Sequence, residues 1–217
     1  MRTSSLLALV LFPVAAFGAG CTNEGADAKH EALGHQASAV QGGKSDTQKA
    51  HNFAVGIASR YGAVCSGTLI APNLVLTARH CVVPPSGDES VTCANKFGKN
   101  EPASALFVTT EPSLRGAKNF YDAAEVITPT DTGFCGNDIA LIRLKDNIPD
   151  SEATPATPVV QFSMTDHTKI GDQITAMGYG ITSPNANDSG IRRIREKIDI
   201  VCVPGDTTKD CKKTEYA

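Results

Sequence analysis

The 217-residue sequence lacks an excess of positive charge: 20 Lys and Arg stand against 23 Asp and Glu, for a net charge of -3. That balance excludes a polybasic nucleic-acid binder, whose footprint is a marked Lys/Arg surplus. Beyond the first 20 residues no apolar run is long enough to span a bilayer as a helix. Heptads and repeat periods are also missing, which argues against coiled coils and solenoids. At 41% hydrophobic and 20% charged, the chain is not depleted enough in apolar residues to stay disordered. What is present is 19 Gly, 12 Pro and many Thr, Val and Ile, a mix that favours short strands and turns over a helical bundle. Seven Cys point to an oxidising compartment.

The first 20 residues account for that compartment. One positive charge at Arg2 precedes an apolar stretch from Leu6 to Phe17, and Gly18-Ala19-Gly20 forms a small-residue exit. This is the pattern of a secretory signal peptide over residues 1–20. Small residues before Cys21 also resemble a bacterial lipobox, in which Cys21 becomes lipidated and attaches the chain to a membrane. Gly18 stands where such motifs usually carry Leu or Val. Removing Cys21 leaves six Cys, which can all pair. Residues 21–39 have no apolar periodicity and read as a tether or propeptide. His30 and His35 within it have no further ligands at metal-binding spacing and read as solvated.

Strand signals begin at Asn52. Phe53 to Ala58 alternates; Thr68-Leu69-Ile70 and Leu74 to Thr77 flank Ala71-Pro72-Asn73 as a hairpin. Further strands are expected over 105–109, 124–127, 139–144, 173–180 and 194–203. Prolines 149, 155 and 158 mark a connection over 147–158. Many short strands with Gly/Pro turns predict an all-β sandwich or barrel.

Two segments carry chemistry. In the first, the hairpin delivers Ala78-Arg79-His80-Cys81 to the end of its second strand, with Cys65 available to bridge Cys81. A histidine held beside such a bridge suits a general base near neutrality. A zinc site at Cys65, His80 and Cys81 would need a fourth ligand and a close Cys pair, and neither is present. In the second segment, Cys135-Gly136-Asn137-Asp138 leads straight into the apolar Ile139 to Leu144. Alone, Asp138 reads as a turn or cap residue. Accepting a hydrogen bond from a histidine would use its charge.

Together these segments resemble the trypsin-like (chymotrypsin-family) serine proteases, of a bacterial secreted type. The likeness runs over residues 40–217. It rests on Cys65 to Thr68, Leu74 to Cys81, Asn137 to Leu141, Gly178-Tyr179-Gly180, and Val40-Gln41-Gly42-Gly43, the last similar to a mature N-terminus exposed by zymogen cleavage. The resemblance implies two antiparallel Greek-key β-barrels, the first over about 52–146 and a partial second over about 159–217. It implies His80 as general base, Asp138 as its orienting acid, a protein or peptide substrate, and no metal or organic cofactor. It also implies the disulfide Cys65–Cys81; Cys93–Cys135 and Cys202–Cys211 are the further expected pairs. Cleavage at Ala39–Val40 would require an activator that does not cut after Arg or Lys.

Two features depart from the family. Arg79 stands where a small residue is common. The nucleophile motif Gly-Asp-Ser-Gly-Gly does not occur, and the chain stops at Ala217, where several strands of a second barrel are still expected. The nearest imitation, Asn187-Asp188-Ser189-Gly190, is of turn composition. Arg192, Arg193 and Arg195 follow it and interrupt the apolar pattern a buried site would need, so Ser189 is expected in an exposed loop and not as a nucleophile. The two readings of function are a serine endopeptidase lacking its nucleophile segment in these residues, and an inactive protease homologue acting as a secreted binding module. Retention of His80 and Asp138 favours the first.

Overall fold

The computed structural model describes residues 40–83, 93–183, 186–201, 203 and 206. The signal segment, Cys21, Ala39, Cys202 and Cys211 lie outside them. The described residues contain strands and short 3-10 turns and no α-helix. The strands are β1 (Lys44–Ser45), β2 (Ala54–Ser59), β3 (Val64–Ala71), β4 (Leu74–Thr77), β5 (Leu106–Thr109), β6 (Tyr121–Ile127), β7 (Ala140–Leu144), β8 (Gln173–Gly178) and β9 (Arg193–Asp199).

Six of them close an antiparallel barrel in the order β2-β3-β4-β7-β6-β5. Closure leaves no free edge in this module. The period-2 pattern determines what points inward. In β7, Ala140, Ile142 and Leu144 are buried while Arg143 faces solvent and pairs with Glu125 across the strand. Val55, Ile57, Leu69, Val75, Leu106 and Val108 complete the core from the other strands. Truncating a fully buried residue such as Ile142 to Ala is expected to cost about 2–5 kcal/mol. Gly67 sits where β3 passes closest to this core: a Cβ there would lie 2.6 Å from Val75 Cγ1.

The proline-marked connection starts by sealing the barrel. Ile148 and Ala153 are buried in its core. The Glu152 carboxylate accepts hydrogen bonds from the Tyr121 hydroxyl at 2.7 Å and from Thr110 Oγ1.

The second module is an open antiparallel sheet in the order β1-β9-β8. Gly178 and Tyr179 join it to the barrel. A Cβ on Gly178 would meet Ser66 Oγ at 2.8 Å, so glycine permits β8 to approach β3. Tyr179 N–H then donates to Ser66 Oγ at 2.8 Å. The buried Tyr179 hydroxyl donates to the Glu111 carbonyl at 2.7 Å. Burial pushes this phenol up to about 12, so it remains a donor at any physiological pH.

Candidate active site

β4 and β7 are antiparallel neighbours, and their register pairs Thr77 with Ala140. The chain therefore leaves β4 and enters β7 at the same end of the barrel. Three residues beyond Thr77, the 3-10 turn Arg79–Cys81 presents His80. Two residues before Ala140, the incoming loop presents Asp138. The disulfide Cys65–Cys81, with Cα atoms 5.9 Å apart, ties the turn back to β3. Cys93–Cys135 closes the loop before Asp138.

Asp138 grips His80 twice. Its Oδ2 lies 2.8 Å from His80 Nδ1, and its Oδ1 accepts the His80 backbone N–H at 2.9 Å. Partial burial works to raise the Asp138 carboxyl, but hydrogen bonds from the His80 ring and backbone, the His80 charge and the Arg79 backbone outweigh it and hold the group below its ordinary value. At neutral pH Asp138 is therefore an ionised acceptor. An ionised carboxylate cannot donate, so Nδ1 carries the proton and a neutral ring keeps its lone pair on Nε2. The side chains are only 20% and 30% exposed, which partly shields the pair from water.

Cys65, His80 and Cys81 lie close together. Both sulfurs are consumed in the disulfide, which leaves no thiolate to bind a metal ion.

Ser189 lies in a turn and is half-buried rather than in the exposed loop that its composition suggests. The loop is pinned: the Asp188 carboxylate accepts from Thr182 N–H and Oγ1 at 3.0 and 2.8 Å and from Arg193 Nη2 at 2.8 Å. Gly190 N–H donates to the Tyr179 carbonyl. Two of the three arginines after it are not surface charges, whereas Arg195 is exposed. Arg192 is fully buried and Arg193 nearly so, because their cations meet Asp46 and Asp188. Val40, next to the candidate cleavage bond, is also buried, with its carbonyl accepting from Gly43 N–H.

Sequence reasoning did not find Arg79 or Phe97 beside the site. The Arg79 guanidinium is buried against the Phe97 ring, its carbon 4.6 Å from the centroid. Arginine in place of a small residue was the signal, but its ring partner lies in a stretch without periodicity.

A closed six-stranded barrel that holds an Asp-oriented histidine at the β4–β7 end defines a trypsin-like protein. Residues 40–214 match the model of the Trypsin family, and the chain belongs to that family. It is 29% identical over 147 residues to Brachyurin from Leptuca pugilator. That match covers 68% of this chain and 56% of the relative, so the chain spans little more than half the relative's length.

Proposed function

We propose that this chain carries the general base and its orienting acid for a secreted serine endopeptidase. The observation behind the reading is the two-point hold of Asp138 on His80, at 2.8 and 2.9 Å. In this role Nε2 of His80 accepts the proton of an attacking serine hydroxyl and later returns it to the leaving amine. Asp138 keeps the productive tautomer and stabilises the imidazolium that forms. The 217 residues contain no Gly-Asp-Ser-Gly-Gly, and Ser189 is not assigned as nucleophile. The substrate is a protein or peptide, and the chemistry needs no metal or organic cofactor. Residues 1–20 act as the export signal, in keeping with two disulfides in the folded chain. Cys21 is the candidate lipid anchor, and Ala39–Val40 is the candidate processing bond.

The test expresses the whole reading frame that contains these residues and follows peptide-ester hydrolysis. His80→Ala is expected to abolish it, and Asp138→Asn to lower kcat about 10^4-fold, as loss of the orienting acid does in triads of this type. Hydrolysis unchanged in both variants would overturn the roles given to His80 and Asp138, and hydrolysis absent from the parent protein would leave the binding-module reading.

A further inference from the structure

We infer that Arg79 is a positioning residue for the His80–Asp138 pair, acting through an aromatic clamp on the loop that delivers Asp138. The inference rests on the role proposed above for that pair. Arg79 shares the 3-10 turn of His80, yet its side chain reaches away to the opposite loop. Nη1 donates to the Asp131 carbonyl at 2.6 Å, and the guanidinium covers Phe97. Phe97 stacks in turn on Phe134, with centroids 4.8 Å apart and planes at 22°. Asp131 and Phe134 both belong to the loop that ends on Asp138.

The clamp is cross-linked along its length. Phe97 N–H donates to the Thr132 carbonyl at 2.8 Å and Phe134 N–H to the Asn95 carbonyl at 3.1 Å. Lys96 and Gly133 form a bridge, and Cys93–Cys135 closes the end. Two otherwise irregular segments thus become one plate, and Arg79 presses on it from the histidine side.

Arginine is suited to this task because its planar cation can stack on a ring and donate in its own plane at once. Its placement is costly. Arg79 is 4% exposed, has no carboxylate partner among the described residues, and leaves Nε without a hydrogen bond. A buried cation held without a counter-charge is poor value for stability alone. Its gain is geometric: the turn that carries His80 and the loop that carries Asp138 are set against each other by one side chain.

The test reads the His80–Asp138 hydrogen bond directly. In the 217-residue chain, the low-field proton resonance of His80 Nδ1–H is assigned by its loss in His80→Gln. Arg79→Met keeps the apolar stem and removes the cation; Phe97→Leu removes the ring instead. Both are expected to lose or broaden that resonance while near-UV circular dichroism still shows a folded chain. Were both variants to keep the resonance at its parental position and width, with only their melting temperatures lowered, Arg79 would be a packing residue and the inference would fall. A parent chain with no such resonance would instead strike the proposed function, and the clamp with it.

Discussion

Arg192 and Asp46, 146 residues apart in the chain, form an ion pair with both side chains completely buried, Nε to Oδ2 3.1 Å. Both other guanidinium nitrogens also have partners. Nη1 donates to Asn52 Oδ1 and the Thr110 carbonyl, and Nη2 to the Gln48 carbonyl. Asp46 further accepts Gln48 N–H and lies 3.0 Å from His51 Nδ1. One buried cation therefore holds the segment after Val40 onto both the barrel and β9.

Breaking this pair from one side strands a charge. Asp46→Asn or Arg192→Met is expected to destabilise the fold by about 3–5 kcal/mol. The double variant should lose less than the sum of the two, because neither charge is then left alone. Urea unfolding of the three variants checks this, and strict additivity would contradict the pairing.

Asp138 gives a pH dependence whose sign can be worked out. Its folded-state pKa lies below that of the unfolded chain. Its contribution is thus present above the ordinary carboxylate value, about 3.9, and is lost as pH falls through the lower folded value. Unfolding midpoints measured from pH 6 down to pH 2 should show the parent's advantage over Asp138→Asn shrinking only in the acid range. A difference that stays flat with pH would count against the hydrogen-bonded carboxylate.

Gly67→Ala places a methyl group against Val75 Cγ1, Ile57 Cδ1 and the Leu76 carbonyl, at 2.6, 3.0 and 3.2 Å. Overpacking of this kind is expected to cost about 1–3 kcal/mol. Adding Val75→Ala should recover part of the loss by opening the space the methyl needs. A double variant less stable than Val75→Ala by the full single-variant cost would show that the clash lies with the backbone instead.

The two disulfides should differ in weight. Cys65–Cys81 closes a separation of 16 residues and Cys93–Cys135 one of 42. By loop-closure entropy, their removal as Ala pairs is expected to cost about 3 and about 4 kcal/mol respectively. Thermal unfolding of the two double variants provides the comparison. Removing the longer link should also disturb the His80 Nδ1–H resonance, since that link closes the plate beneath Asp138.

The local signals in the sequence located most of the strands. Alternation in β2 and β7 and the Pro72-Asn73 turn between β3 and β4 are short-range patterns, and each element formed within a few residues of where its pattern lies. The residues of the candidate dyad were legible for the same reason, because each sits in a compact motif at a strand end.

Side-chain partners across long separations were not legible. Charge ordinarily marks surface, so the three arginines after Ser189 read as a break in the apolar pattern that a buried site would need. Arg192 and Arg193 are buried because Asp46 arrives from near the start of the domain and Asp188 folds back beside them. Prolines mark the 147–158 segment as a connection, yet only closure of the barrel shows that Ile148 and Ala153 fill its end. Phe97, in a stretch without period, gains its place under Arg79 from the cross-links to the Asp138 loop. The sequence by itself determined which residues form strands and which motifs end them, since backbone periodicity is local. Only the tertiary structure decided which charges are paired out of water and how the histidine turn is set against the aspartate loop, since those contacts form only once distant segments are packed together.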